Sequence, residues 1–138
     1  MNQETIWTEL ARLPITKQQD VLLARFVSRE EAIRMGFDPV ILTRVATVTS
    51  EISRNVVQHA GSPGAIQIGR IAEAEKSGLR LIISDQGKGF DRSEALALEN
   101  KPGAIGSGLR GARKLADRLD IQAEPGQGAT ITADFWKV

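Results

Sequence analysis

The clearest pattern in the chain is a stripe of apolar residues that recurs at three- and four-residue steps over residues 39–60. Steps of this size return to one face of an α-helix, so this segment is predicted to be a helix whose apolar face meets a core. Asp38-Pro39 matches an N-cap followed by proline at the first helical position. The stripe consists of Ile41, Val45, Val48, Ile52, Val56 and His59.

Two further helices are predicted on either side of this one. Residues 18–35 are rich in Ala, Leu, Arg and Glu and are expected to form a helix that stops at Gly36, since glycine is the commonest helix-ending residue. Residues 107–118 are expected to form a helix that buries Leu109, Ala112, Leu115, Ala116 and Leu119.

The remaining apolar segments have the short length typical of strands. Pro14 interrupts residues 5–16, which are expected to form one or two short edge strands. Four more strands are predicted as two pairs, each pair joined by a polar turn. The first pair is residues 65–72 and 79–85, with its turn at 75–78, and the second is 119–124 and 129–137, with its turn at 125–128.

The predicted order is therefore β, α, α, β, β, α, β, β. Hairpin-like joins imply a mixed, mainly antiparallel sheet, and the helices then have to cover one face of it, which gives an α/β (α+β) two-layer sandwich. A chain of 138 residues is most simply one domain over residues 1–138. The polar residues 91–105 are expected to be a mobile connection with at most a short helix.

Composition narrows the class of function. The net charge of +1 supplies no global field toward nucleic acid or membrane, and the absence of cysteine fits a reducing compartment. No apolar run approaches the roughly 20 residues of a membrane span, and the N-terminus has no signal-peptide pattern. The expectation is a cytoplasmic protein without nucleic-acid or membrane partners. His59 is the sole histidine, so metal clusters built on His or Cys are excluded.

Glu51 and Asn55 form the first candidate site. They are four residues apart on the long predicted helix and therefore lie side by side on one shoulder of its apolar stripe. The side-chain oxygen of Asn55 suits Mg²⁺ beside phosphates, and Glu51 can take a proton from an attacking hydroxyl or water. An isolated pair of this kind is more often simply two solvent-facing helix residues.

A second motif, Asp85-Gln86-Gly87-Lys88-Gly89, follows an apolar strand. A carboxylate at this position can accept the exocyclic amine of adenine, and Gly87 and Gly89 let the backbone approach a ligand closely. The same residue types are also common in an ordinary tight turn between a strand and a loop.

A third motif, Gly106-Ser107-Gly108, opens a helix whose first N–H groups favour phosphate. It has neither the Lys-Ser/Thr ending of a Walker loop nor a preceding strand, and by itself such a motif is more often a flexible glycine loop before a helix. The order and spacing of the three motifs are more informative than any one of them. Together they predict an ATP site.

These motifs resemble the gyrase, Hsp90, histidine-kinase and MutL (GHKL) ATPase superfamily. More narrowly, residues 8–138 resemble the anti-sigma-factor serine/threonine kinases of the RsbT/RsbW group. Three segments look RsbT-like, whereas Val57-Gln58-His59-Ala60 is closer to RsbW, and the balance favours RsbT. The three segments are Arg29-Glu30-Glu31-Ala32 followed by Met35-Gly36-Phe37, Ser50-Glu51-Ile52-Ser53-Arg54-Asn55, and the run from Gly108 to Asp117.

The resemblance implies a Bergerat-type ATP-binding fold with ATP and Mg²⁺ as cofactors. It also implies roles for the residues of the motifs: Glu51 as general base, Asn55 as Mg²⁺ ligand, Asp85 as adenine contact, Gly87 and Gly89 as shapers of the nucleotide pocket, and Gly106, Gly108 and Leu109 as the lining of a phosphate lid. The expected reaction is transfer of the ATP γ-phosphate to a serine or threonine of a STAS-domain antagonist protein of a stressosome. Further expected partners are a PP2C-type phosphatase or a sigma factor.

One position departs from the family pattern. RsbT-like chains usually have Gly-Thr in the last glycine turn, whereas here Gly128 is followed by Ala129 and then Thr130. Adjacent side chains of a strand point to opposite faces, so Thr130 is not expected to replace the missing hydroxyl.

Two other functions compete with a kinase. One is a nucleotide-gated binding module that sequesters a sigma factor or activates a phosphatase with little catalysis, and the other is a stand-alone ATPase, which ranks last. His59 is expected to belong to the apolar stripe and not to be a phosphoacceptor.

Overall fold

The sheet and the helices follow the predicted order in the computed structural model, which describes residues 4–59, 63–85, 106–124 and 128–137. The strands are β1 (Thr5–Ile15), β2 (Gly64–Glu73), β3 (Lys76–Asp85), β4 (Arg118–Glu124) and β5 (Gly128–Lys137). The helices are α1 (Gln18–Arg34), α2 (Pro39–His59) and α3 (Gly106–Leu115).

The five strands form one sheet in the order β1-β2-β3-β5-β4. Each of the four pairings is antiparallel, so the expected mainly antiparallel sheet is confirmed, and the described strands include no parallel pair. β1 is an edge strand, as predicted, but it is one continuous strand with an irregularity between Glu9 and Ala11. Pro14 is compatible with β1 because an edge strand has one side without a strand partner.

The helices cover one face of this sheet. Residues on alternate positions of β2, β3 and β5 share a buried cluster with the stripe of α2, and so the predicted two-layer sandwich is confirmed. Val45, Val48 and Ile52 are fully buried there. The sheet contributes Ile66, Ile68, Leu79, Leu81, Ile83, Ile131, Ala133 and Phe135.

The opposite face of the sheet carries a network of charged side chains. Asp134 is only 1 % exposed and accepts hydrogen bonds from Arg80 at 2.7 and 2.9 Å and from Arg118 at 2.8 Å. Arg118 also donates to Glu73 at 3.0 Å. The pKa of the Glu73 carboxyl lies below its ordinary value, first because the Thr5 hydroxyl donates to it and second because Arg118 does.

Two helix boundaries confirm the capping signals. Asp38 Oδ1 accepts a hydrogen bond of 3.0 Å from the N–H of Ile41, as an N-cap side chain does. Gly36 follows the end of α1 with φ of 85°, the left-handed conformation that glycine adopts readily.

Two predicted boundaries were wrong. The turn expected at residues 75–78 is a two-residue connection between β2 and β3, with Ala74 at φ 50°, and Lys76 already pairs with Glu73. Gly78 belongs to β3, where it pairs with Ile71 of β2 and Trp136 of β5. A Cβ there would collide with the carbonyl oxygen of Phe135 and lie 3.1 Å from Trp136 Cε3. The polar residues and glycine at 75–78 have the composition of a turn, although the strand continues through Gly78, which lies against the ring of Trp136.

The third helix is also shorter than predicted, since it ends at Leu115 and not at residue 118. Arg118 instead begins β4, where it pairs with Asp134 in the ladder and by its side chain. The expected connection at residues 91–105 lies outside the described residues, as do residues 125–127 of the last predicted turn.

Candidate functional site

Glu51 and Asn55 lie on the flank of α2 that faces away from α1. Thr49, on the other flank of the stripe, contacts Ser28 of α1 through hydroxyl groups 2.8 Å apart. α3 also packs on α2, and because α1 occupies one flank and the sheet lies under the stripe, α3 packs on the side of Glu51 and Asn55. Both side chains are half-buried, so the shoulder position predicted from the sequence is observed.

Glu51 is held by a residue that sequence reasoning missed. Arg54 Nη1 lies 3.1 Å from Glu51 Oε1, with the two side chains 37 % and 32 % exposed. The available signal was the spacing, because opposite charges three residues apart meet on a helix surface. Within the described residues the carboxamide of Asn55 has no hydrogen-bond partner, so its oxygen is available to a ligand.

Asp85 ends β3 on the helix-facing side of the sheet. It is half-buried, and it follows the buried Ile83 by two residues, which places both side chains on the same face. In the ladder it lies opposite Gly64 of β2 and Ala129 of β5. The carboxylate therefore belongs to the layer between the sheet and α2, at the end of the sandwich where β2 and β5 begin.

Gly64 joins this end of the sheet to α2. A Cβ at Gly64 would lie 2.7 Å from Val56 Cγ1, 2.8 Å from the carbonyl oxygen of Ser84 and 3.6 Å from Asp85 Cβ. The missing side chain thus lets α2 pack directly against the β2–β3 hairpin, and Asn55 is the residue next to Val56.

Ala129 and Thr130 occupy opposite faces of β5. Ala129 is buried opposite Asp85, whereas Thr130 pairs with Ser84 on the face without helices. The expectation that Thr130 does not replace a hydroxyl at position 129 is therefore confirmed. Asp85 has a methyl group opposite it at this end of the sheet.

The third motif opens α3. Gly106 and Gly108 lie in the first turn of the helix, which contains no acidic residue that would compete with an anion. α3 ends next to β4, and Asp117 donates its N–H to the carbonyl of Asp134 at the far end of the sheet. The first turn of α3 is therefore directed back toward the end of the sheet that carries Asp85.

Leu109, predicted to line the phosphate lid, is also a residue of the hydrophobic core. It is 2 % exposed and belongs to the core cluster, so it anchors the first turn of α3 against the sandwich. Gly87 and Gly89 lie outside the described residues, as does the side chain of His59.

The structure thus brings three predicted elements to one end of the sandwich: the Glu51–Asn55 flank of α2, the Asp85 end of β3 and the glycine-rich start of α3. On a helix, a carboxamide oxygen suits a cation and a carboxylate can accept a proton, whereas a helix N-terminus suits phosphate. The chemistry of these donors fits a purine nucleotide with its phosphates.

Comparison with known proteins supports this interpretation. The sequence profile described as "Histidine kinase-like ATPase domain" matches residues 14–135. The chain belongs to this family. Membership of the histidine kinase-like ATPase family confirms the expected superfamily and implies that the nucleotide is ATP.

A curated relative within the family refines the comparison. The chain is 33 % identical over 124 residues to "Serine/threonine-protein kinase RsbT" of Bacillus subtilis (strain 168), an alignment that covers 88 % of this chain and 92 % of that protein. The chain is therefore a homologue of a serine/threonine-protein kinase, as the sequence motifs indicated.

Two solved structures share the fold. The RsbU and RsbW domains of a Mycobacterium tuberculosis protein match with a TM-score of 0.59 and 17 % identity over 94 % of this chain. The histidine kinase domain of a blue-light activated histidine kinase from Erythrobacter litoralis matches with a TM-score of 0.52 and 18 % identity over 86 % of it. This chain spans 34 % and 63 % of those two chains, respectively.

None of the helices in the described part of the chain combines the length and apolar character needed to cross a bilayer.

Proposed function

We propose that residues 1–138 act as one kinase domain that transfers the γ-phosphate of Mg-ATP to a serine or threonine of a STAS-domain antagonist protein. The observation that carries the proposal is the position of Glu51 and Asn55 on the flank of α2 that faces away from α1, at the same end of the sandwich as Asp85. The similarity to RsbT over 88 % of the chain supports the class of reaction.

Each part of the nucleotide has a residue suited to it. Asp85 accepts the exocyclic amine of adenine, which distinguishes adenine from guanine, and Gly87 and Gly89 shape the pocket around the purine. The first turn of α3, with Gly106 and Gly108, receives the phosphates through its free N–H groups. Leu109 keeps that turn in place because its side chain is anchored in the core.

Asn55 is the residue suited to hold Mg²⁺, through its side-chain oxygen. When bound there, the ion would neutralise phosphate charge. A carboxamide ligand suits this position because it adds no negative charge next to a triphosphate.

Glu51 acts as the proton acceptor. The hydroxyl oxygen of the partner's serine attacks the γ-phosphorus, the bond to the β–γ bridging oxygen breaks, and the hydroxyl proton passes to the Glu51 carboxylate. Arg54 is a positioning residue, since its guanidinium holds one carboxylate oxygen at 3.1 Å. The same contact limits the rotamers of Glu51 on the surface of α2.

The proposed setting is a cytoplasmic partner-switching pathway. In such a pathway the kinase is bound by STAS-domain or stressosome proteins, and once released it activates a PP2C-type phosphatase or silences a sigma factor. The M. tuberculosis structure that contains RsbU and RsbW domains is consistent with a kinase domain of this type acting in partner switching.

The decisive experiment measures phosphate transfer to STAS-domain proteins of the same genome with labelled ATP and magnesium. We expect phosphoserine or phosphothreonine with the wild-type protein and none with Glu51→Gln, while both bind ADP equally in calorimetry. Glu75→Gln is the matched control, because Glu75 is exposed in the β2–β3 turn at the opposite end of the hairpin from Asp85. Tight ADP binding without phosphate transfer to any of these partners would count against a kinase.

The same variant separates the kinase from the alternative of a nucleotide-gated binding module. If Glu51→Gln abolishes phosphate transfer but leaves regulation in the cell unchanged, the essential act is binding. If regulation is lost together with phosphate transfer, catalysis is essential.

A further inference from the structure

A cavity of about 360 Å³ lies at the end of the sandwich away from Asp85. The connection between α1 and α2, the first turns of α2, the link from α3 to β4 and the end of β5 form its wall. Asp85 lies opposite Ala129 at the start of β5, whereas Lys137 of the cavity wall ends the same strand. Eight residues of extended strand separate these two positions by roughly 27 Å, so the cavity is distinct from the candidate ATP site.

The wall of this cavity combines apolar and charged side chains. Phe37, which is buried, and Ile41, which is half-buried, supply apolar surface. The volume falls in the range of roughly 300–1,000 Å³ that is typical of small-molecule sites. The charged residues of the wall are Asp38, Arg44, Asp117 and Lys137.

Each of the two acids has a structural role that uses one of its oxygens. Asp38 Oδ1 accepts the N–H of Ile41 at 3.0 Å at the start of α2. Asp117 Oδ2 accepts the N–H of Trp136 at 2.7 Å and ties the link from α3 to β4 to the end of β5. Among the described residues nothing donates to the second oxygen of either carboxylate. Each acid therefore keeps one acceptor oxygen for a ligand.

The two bases have no structural role of this kind. Arg44 and Lys137 form neither an ion pair nor a hydrogen bond with any residue in the described part of the chain. Because two acids line the same cavity, this means that the opposite charges are too far apart to pair directly. Lys137 is held at the wall by close packing, since a Cβ at Gly36 would lie 3.0 Å from its Nζ. The missing side chain of Gly36 leaves room for the ammonium group.

We propose that this cavity binds a small phosphate monoester that also carries hydroxyl groups, of the class of sugar and glycerol phosphates. A phosphate monoester has a charge of about −1.5 to −2 at pH 7, which matches two unpaired cations, whereas a single carboxylate would leave one of them unpaired. The guanidinium of Arg44 donates parallel hydrogen bonds to phosphate oxygens, and the ammonium of Lys137 supplies a point charge.

The acids of the wall select the ester over inorganic phosphate. Carboxylates repel a bare phosphate ion, but their remaining oxygens accept hydrogen bonds from the hydroxyl groups of an ester. A polyol without phosphate would leave Arg44 and Lys137 unpaired. The ligand therefore needs both kinds of group, and the inference does not depend on the proposed kinase activity.

Calorimetry of the full chain with glycerol 3-phosphate tests the site, in the absence and in the presence of saturating Mg-ADP. We expect saturable binding that Mg-ADP does not displace, because the two sites are at opposite ends of the sandwich. Inorganic phosphate should bind at least about fivefold more weakly, and glycerol at the same concentrations should give no saturable heat.

Two variants test the cations. Arg44→Gln and Lys137→Gln should each raise the dissociation constant of glycerol 3-phosphate at least about tenfold. Arg25→Gln is the matched control and should stay within about twofold, because Arg25 is an exposed arginine of α1 that does not line the cavity. Arg44 and Lys137 are also exposed, and circular dichroism checks that each variant is folded.

A third variant tests the acids. Asp117→Asn should reduce the preference for glycerol 3-phosphate over inorganic phosphate, because it removes repulsion of the phosphate and one acceptor for a hydroxyl group. An unchanged preference, or inorganic phosphate that binds the wild type as tightly as the ester does, would overturn the assignment of the hydroxyl contacts.

The absence of saturable binding of glycerol 3-phosphate to the wild type would overturn the site itself. Binding that Mg-ADP abolishes and that Arg44→Gln leaves unchanged would do the same, since the ester would then occupy the candidate ATP site. Failure of Mg-ADP to bind would contradict the proposed nucleotide site alone, because the dependence on Arg44 and Lys137 is also measured without nucleotide.

Discussion

Asp85 and Ala129 lie directly opposite each other on β3 and β5, on the face of the sheet that the helices cover. Thr130, one residue later, pairs with Ser84 on the other face. The carboxylate proposed to contact adenine therefore faces a methyl group across the ladder. The hydroxyl of Thr130, the nearest one in the sequence of β5, points to the face of the sheet without helices.

The first prediction concerns this pair of faces. Asp85→Asn should weaken ADP binding by roughly 1–3 kcal/mol, because the purine amine loses a charged acceptor in a partly buried site. Calorimetry with ADP measures the change. Thr130→Ala is the control and should leave the affinity within about twofold, since its side chain lies on the opposite face. Equal affinities of wild type and Asp85→Asn would refute the adenine contact.

The second prediction concerns the contact between α2 and the β2–β3 hairpin. Gly64→Ala should destabilise the protein by about 1–3 kcal/mol, because the new Cβ meets Val56 and the backbone oxygen of Ser84. Thermal unfolding should show a midpoint lower by roughly 3–5 °C per kcal/mol.

A second glycine provides the opposite control. Nothing lies within 4 Å of the place where a Cβ of Gly111 would be, and this residue is inside α3. Gly111→Ala should therefore stabilise the protein by about 0.5–1 kcal/mol. A midpoint of Gly64→Ala equal to or above that of the wild type would show that close packing is not the reason for glycine at this position.

The third prediction concerns the buried carboxylate on the face without helices. Asp134→Asn should lower the free energy of unfolding by about 2–3 kcal/mol, since Arg80 and Arg118 lose a charged acceptor. The cost stays below that of a fully buried pair because Arg118 is 47 % exposed. Urea unfolding measures it, with the exposed Asp120→Asn as control on the same strand pair. A loss no larger than that of the control would show that the network contributes little.

The fourth prediction concerns pH. The N–H of Thr16 donates to Asp20 at 2.9 Å and is the first cause that lowers the pKa of this carboxyl, with the Thr16 hydroxyl and the N–H of Lys17 also donating. Because the pKa of Asp20 is lowered in the folded state, the stability that these hydrogen bonds contribute is fully present above pH 3.8, the ordinary pKa. It is lost as the pH falls through the lower pKa of the folded state.

Urea unfolding midpoints at about pH 7 and about pH 3 check this sign. The wild type should lose stability on acidification, and Asp20→Ala should be less stable at neutral pH but lose less between the two conditions. An identical pH dependence in the two proteins would show that Asp20 is not one of the groups responsible.

The local signals of the sequence were sufficient for α2 and for the element order. Asp38-Pro39 marks the start of α2, and the apolar steps from Val45 to Val56 identify its buried face, because caps and helical periodicity act within a few residues. The positions of Glu51 and Asn55 on one shoulder follow from the same periodicity. Antiparallel pairing also followed, since short connections between strands permit little else.

Only the tertiary structure decided which surfaces meet. No local signal showed that Gly64 packs against Val56, and Gly78 appeared to be part of a turn until Trp136 was found across the ladder. The sequence likewise did not show that Leu22 and Phe26 point outward, because it is the small residues on the other side of α1 that pack against α2. Contacts between residues distant in the chain depend on shape and register, and these are properties of the assembled sheet and helices.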